Sequence, residues 1–121
     1  MKAPHINPLE RDRQRAIYDY LVLKYPHACV WRNETGGSFT KVSGKLIRRG
    51  HDIITPGVSD LMMLVPGTLY GFEVKRERNR AGEPMPLRPA QFRFKERFEH
   101  AGGRYIVATD IDDVEEALRP F

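Results

Sequence analysis

Apolar positions in this chain recur first at helical spacing and then in short continuous runs. Ile17, Tyr20 and Leu21 share one face of a segment that Asn7-Pro8-Leu9-Glu10 opens. Asn stands at the N-cap, Pro at the first helical position and Glu three residues after the cap. The pattern predicts a helix over 7–24, closed by Pro26. Residues 28–32 form a short apolar run of strand type. Residues 33–57 are rich in Gly, Ser, Thr and Lys, and Ser43-Gly44 is a turn signal that would join a small hairpin of 39–42 and 45–47. Residues 61–65 and 69–75 read as two further strands about Pro66-Gly67, and 76–86 as a polar loop. Pro89 begins a helix to about His100, with Gln91, Phe94 and Phe98 on its core face and Gly102-Gly103 after its end. A last strand over 104–108 and a helix through Leu118, capped by Thr109 or Asp110, complete the order. Strands 61–65 and 104–108 read as buried on both sides. The alternation predicts an α/β fold, a mixed β-sheet flanked by helices, with residues 1–121 as one domain.

A chain of 121 residues, 40% hydrophobic and 30% charged, has ordinary globular composition and room for one core. No apolar run approaches the roughly 20 residues of a membrane-spanning helix. Residues 1–8 carry no hydrophobic signal region, so a cytoplasmic location is expected, the host cell's cytoplasm if the protein is viral. Cys29 is the only cysteine, which excludes an internal disulfide and a cysteine zinc site; it reads as core filler in a reducing compartment.

The net charge of +4 is modest, but it is unevenly spread. Between residues 32 and 50, Arg32, Lys41, Lys45, Arg48 and Arg49 face a single acid, Glu34, and residues 75–97 are again mostly cationic. The segment from Glu99 onward is mostly acidic. Two basic stretches and an acidic end would give one cationic surface, suited to a phosphate backbone; a solvated mixed surface is the bland alternative.

Strand register supplies the sharpest chemical argument. If the strands on either side of Pro66-Gly67 pair as an antiparallel hairpin, Val65 faces Thr68 and Asp60 faces Glu73. Facing like charges in such a pair are destabilising and want a cation between them. On the second strand, Gly71, Glu73 and Lys75 share a face, opposite Tyr70, Phe72 and Val74. Carboxylate oxygens suit hard cations such as Mg²⁺ and Mn²⁺, and a neighbouring ammonium can stabilise charge on a phosphate. A Glu-x-Lys tripeptide alone is commonly a surface ion pair; the facing Asp60 is what sets this one apart. His5, His27, His51 and His100 lack metal-ligand spacing, and Met62-Met63 reads as core.

Ser59-Asp60 followed by Glu73-Val74-Lys75 resembles the PD-(D/E)xK nuclease superfamily. Glu10 and Gln14, Trp31-Arg32-Asn33 with Gly36, Gly57-Val58-Ser59-Asp60, residues 87–91 and Gly102-Gly103 extend the resemblance to its VRR-NUC branch, of the stand-alone virus or phage type. Ser59 stands where the superfamily name has proline, and the segment Arg48-Arg49-Gly50-His51-Asp52 has no counterpart in the pattern. The resemblance implies a restriction-endonuclease-like core and metal binding by Asp60, Glu73 and the Val74 main-chain carbonyl. It implies Lys75 as the catalytic lysine, Gln91 as a further site residue, and Glu10 as an acidic contributor to the metal. Glu10 is also the acid of a capping box; Gln91 could be a core amide, and Asn33 a turn residue or a phosphate contact.

The expected activity is Mg²⁺- or Mn²⁺-dependent endonucleolytic hydrolysis of DNA, structure-selective for branched substrates such as four-way (Holliday) junctions, by a homodimer. Arg32, Lys41, Lys45, Arg48 and Arg49 are the expected DNA contacts. The alternatives are an archaeal-type Holliday junction resolvase relative and a non-catalytic DNA-binding module on a nuclease fold.

Overall fold

The computed structural model describes residues 8–33, 38–49 and 56–119; for Pro8, 38–42 and 45–49 it describes the backbone alone. The elements are α1 (Pro8–Lys24), β1 (Cys29–Arg32), β2 (Ser38–Val42), β3 (Lys45–Arg49), β4 (Leu61–Val65), β5 (Thr68–Val74), α2 (Pro89–His100), β6 (Arg104–Ala108) and α3 (Ile111–Leu118). A four-stranded sheet in the order β1-β4-β5-β6 carries the fold, and β2 and β3 form a separate two-stranded sheet. The pairs β1–β4 and β4–β5 are antiparallel, while β5–β6 is parallel, so the main sheet is mixed, as expected. The hairpin foreseen around Ser43-Gly44 is present, slightly longer than its apolar residues implied. Both turn residues have positive φ, 51° and 78°, the backbone that a two-residue hairpin turn demands. Asn7, foreseen as the helix cap, lies outside the described residues, as do Gly36 and Gly50-His51-Asp52.

Strand alternation divides the sheet into two faces. On one, Leu61, Met63, Tyr70, Phe72, Val74 and Ala108 meet Ile17 and Leu21 of α1 and Val114 and Leu118 of α3, forming the main core. On the other lies α2, whose Phe94 and Phe98 rings stack 5.3 Å apart and close on Tyr105 of β6. Gly103 is needed beneath this helix, because a Cβ there would overlap the Phe98 ring. Gly57, at φ +79°, passes the first turn of α2 so closely that a Cβ would overlap the Ala90 carbonyl. The N-terminus of α2 is therefore held against the segment leading into β4.

The register about Pro66-Gly67 is the one expected: Val65 pairs with Thr68 and Leu61 with Phe72. Pro-Gly fits a tight hairpin poorly, but a one-residue slip would turn the whole apolar set of β4 and β5 to the wrong faces, and burial wins. Two expectations about burial fail. Cys29 is exposed rather than core, because β1 is an edge strand. In β4, Leu61, Met62 and Met63 are buried, yet Leu64 is 48% exposed, so that strand is not covered on both sides along its length. The loop after β5 is tied down by Arg78, which reaches Asp110 at 3.1 Å and Asp113 at 2.8 Å. Asp110 is the N-cap of α3; its carboxylate accepts from Asp113 N–H.

Candidate active site

Asp60 is the last residue before β4, and Glu73 lies near the end of β5, so the hairpin brings both carboxylates to one end of the sheet. Asp60 sits just beyond the last ladder pair and bonds across it: its Oδ2 accepts from the Val74 N–H at 2.8 Å. Its carbonyl accepts from Asn33 N–H at 2.9 Å, and the Asn33 side-chain amide donates to the Ser59 carbonyl, also at 2.9 Å. Asn33, half-buried, thus clamps the Ser59-Asp60 backbone. Ser59 is fully buried, and its hydroxyl meets the Met62 sulfur at 3.0 Å. Gly71 lies opposite, where a Cβ would meet the Ser59 hydroxyl at 2.6 Å.

Gln91 is the hub of the site. Its Oε1 accepts from Lys75 Nζ at 2.8 Å and from the Arg88 N–H at the start of α2, also at 2.8 Å. Its Nε2 donates to Glu73 Oε2 at 2.9 Å. One amide therefore caps a helix, orients an ammonium and fixes a carboxylate. Tyr105, seated under Phe94 and Phe98, points its hydroxyl at the other oxygen of Glu73, at 3.5 Å.

Both carboxylates are buried, at 9% exposure for Asp60 and 3% for Glu73. Burial is the main reason their protons are held more tightly than usual. Asp60 is pushed up to about 6, against the pull of the Val74 N–H. Glu73 is pushed up to about 9, by burial first and then by the charge of Asp60, with Lys75 opposing both. Burial, then the charges of Glu73 and Asp60, hold the Tyr105 phenol well above its ordinary range. A cavity that resists its own second negative charge is one that a divalent cation would neutralise.

The donor set fits such an ion of the hard, oxygen-seeking kind. Among the described residues no three of His, Cys, Asp and Glu gather closely enough to hold a metal. Two carboxylates leave positions for water and phosphate oxygens, which is how Mg²⁺ is commonly bound. Glu10 is half-buried on α1, and its charge raises both Asp60 and Glu73, but it does not complete a three-ligand cluster with them.

Asp60, Glu73, Lys75 and Gln91 thus converge, with Glu10 nearby. Arg32 pairs with Leu61 in the β1–β4 ladder, and its Nε donates to Gln14 Oε1 at 3.1 Å, on the α1 side of the sheet. Lys41, Lys45, Arg48 and Arg49 belong to the β2–β3 hairpin, and their side chains lie outside the described residues. Sequence reasoning missed Tyr105 and the clamping role of Asn33. A tyrosine in a buried strand was the available sign of the first, since its hydroxyl needs a partner.

No protein-family model and no curated protein matches the chain. Among solved structures it is similar to one described as a VRR_NUC domain, with a TM-score of 0.60 over 95% of this chain and 99% of that one. At 19% identity the likeness concerns the fold. The chain shares the fold of that domain, a mixed sheet flanked by helices, as its motifs led us to expect.

Proposed function

We propose that the protein is a Mg²⁺- or Mn²⁺-dependent DNA endonuclease whose site is Asp60, Glu73, Lys75 and Gln91. One observation carries this: two buried carboxylates converge with an amide-held lysine at the end of a VRR_NUC sheet. Asp60, Glu73 and the Val74 carbonyl would hold the ion, with Glu10 contributing through intervening water. Bound there, a divalent ion supplies a polarised phosphodiester and a more acidic water. The Val74 N–H fixes the direction of Asp60, while Gln91 and Tyr105 fix the two oxygens of Glu73. Lys75 places a positive charge beside a phosphate as negative charge develops on its oxygens. Gln91 acts through Lys75 and Glu73 and is a positioning residue.

Branched DNA is the proposed substrate and a homodimer the working unit, because two sites related by a two-fold axis suit a junction with two strands to cut. Arg32 and the cations of the β2–β3 hairpin, Lys41, Lys45, Arg48 and Arg49, are the proposed phosphate contacts. A panel of labelled duplex, flap, fork and four-way junction, incubated with Mg²⁺, with Mn²⁺ or with EDTA, tests the reading. Cleavage that needs metal, is strongest on the junction and disappears in Asp60→Asn is the expected result. Cleavage in EDTA, or none on any substrate with either metal, would overturn it.

A further inference from the structure

A short β-hairpin stands directly after the strand that carries Glu73 and leads into Lys75. Arg78 and Pro84 face each other as an antiparallel bridge, and the Met85 N–H donates to the Glu77 carbonyl at 3.1 Å. At the tip, the Asn79 N–H donates to the Glu83 carbonyl at 2.7 Å and the Gly82 N–H to the Asn79 carbonyl at 3.0 Å. The Asn79 side-chain oxygen accepts from the N–H groups of Ala81 and Glu83, both at 3.0 Å. The Arg78 guanidinium spans the hairpin, with one nitrogen on the Gly82 carbonyl at 3.0 Å and the other on Asp110 and Asp113 at the start of α3.

Burial does not account for this order. None of residues 76–86 is buried, and Met85 is 41% exposed. A two-stranded hairpin without an apolar face is marginal by itself, and fixing its backbone costs entropy that exposed hydrogen bonds offset only in part. What the bonds hold in place is the tip. Arg80 is exposed there, and its side chain has no hydrogen-bond or ion-pair partner among the described residues. Arg78 is balanced by two carboxylates and Arg76 by Glu77 at 3.4 Å, whereas no ion pair joins Glu83 to Arg80.

The sheet order sets this hairpin across the site from the basic segment on the other side. β5 lies between β4, which Asp60 precedes, and β6, which leads into α3. The bonds from Arg78 to α3 put the hairpin on the β6 side of Lys75. Arg32, from which the chain runs on to β2 and β3, is on the β1 side, beyond Asp60. We propose that residues 77–85 are a second DNA-contacting arm, with Arg80 set against a backbone phosphate on the β6 side of the site. A duplex across the end of the sheet is then held on both sides of Glu73, and such phosphate contacts fix register without reading sequence. The identity of the polymer rests on the nuclease reading.

Binding is measured in EDTA, so its outcome is separate from that of the cleavage experiment. A fluorescein-labelled blunt duplex is titrated with the protein and followed by anisotropy across a range of salt. The duplex is expected to bind, and Arg80→Ala to weaken it about fivefold near 0.1 M salt and flatten the log–log salt slope by about 0.9, for one duplex phosphate. Arg119→Ala makes the same charge change beyond the far end of α3 and is expected to leave the slope as it is. Asn79→Ala changes no charge but frees the tip, and is expected to weaken binding about threefold. All three side chains are exposed, so the variants are expected to retain their fold. Failure of the duplex to bind, an unchanged slope in Arg80→Ala, an equal loss in Arg119→Ala or unchanged binding in Asn79→Ala would each overturn the proposal. An unchanged slope in Arg80→Ala together with an altered mass by light scattering would assign the hairpin to a protein contact instead.

Discussion

At the scale of single residues, the chemistry turns on a proton that Asp60 and Glu73 cannot both give up without cost. Glu73 has an ordinary value of 4.5 and is pushed up to about 9 in the folded chain; Asp60 moves in the same direction, to about 6. The folded state therefore binds more protons than the unfolded one between these limits, and stability must fall as pH rises. It is fully present below the ordinary values and is lost progressively as pH passes 6 and then 9. Without metal, the melting temperature is expected to drop by at least about 5 °C from pH 5 to 9, the equivalent of roughly 1 kcal/mol or more in a domain of this size. A divalent ion replaces the proton, so saturating Mg²⁺ should flatten the profile. Scanning fluorimetry in EDTA and in Mg²⁺ reads both, and a flat profile in EDTA would count against the carboxylate pair. Asp60→Asn and Glu73→Gln each remove the repulsion; both should raise metal-free stability at pH 8 while abolishing cleavage. Lys75→Ala is expected to slow turnover by orders of magnitude yet leave calorimetric Mn²⁺ affinity intact or improved. Gln91→Ala leaves metal ligands in place but frees Lys75 and one oxygen of Glu73, and its expected cost is about 10- to 100-fold in activity. Normal cutting by Lys75→Ala at saturating metal would show its assigned role to be wrong.

Elements matter here because Gln91 is only as well placed as the helix that carries it. The start of α2 abuts Gly57, whose positive φ and missing Cβ let the backbone pass the Ala90 carbonyl. Gly57→Ala should push the first turn of α2 away from β4, at a typical overpacking cost of about 1–3 kcal/mol. The expected signature is a lower melting temperature together with a loss of cleavage larger than the unfolded fraction explains, because Lys75 loses its acceptor. Thermal unfolding followed alongside single-turnover cleavage would separate these effects; an unaltered rate in the folded fraction would mean that Gly57 serves stability alone. The position of Gly57 is also where sequence reading reaches its limit. Glycine there matched a motif, but no local pattern says which helix will lie against it. The opposite holds for Asp60 and Glu73: alternation along β5 and the turn at Pro66-Gly67 fixed their proximity, since burial enforces a register that the chain already encodes. Gln91, Phe94 and Phe98 were legible as one face of α2, although not the three bonds made by Gln91. Cys29 was misread because an apolar run looks alike in a central strand and an edge strand, and only the order β1-β4-β5-β6 distinguishes them. Asn33 escaped because its partners, Ser59 and Asp60, are distant in sequence and belong to the backbone.

On the scale of the whole molecule, three helices must cover two faces of a four-stranded sheet, and they do not cover them evenly. The α1–α3 pair buries one face, while on the other α2 packs its aromatic side over β6. Towards the β1 edge of that second face, Cys29 pairs with Leu64 and Trp31 with Met62. Cys29 is exposed, Leu64 is 48% exposed and Trp31 37%. Apolar surface beside an open sheet edge is a liability in a monomer and an asset in an interface. A two-fold pairing is isologous, so one substitution changes both halves of the contact and its effect is doubled. We therefore expect light scattering at micromolar concentration to give twice the 14.0 kDa chain mass, and Leu64→Asp to return the single-chain value. The same variant should still nick flexible DNA, because Asp60, Glu73, Lys75 and Gln91 come from one chain, but it should lose paired, symmetric cuts at a four-way junction. A dimer untouched by Leu64→Asp would place the interface elsewhere. A parent protein that is monomeric throughout, with or without junction DNA, and still makes paired cuts would refute the dimer and leave the four-residue site as it stands.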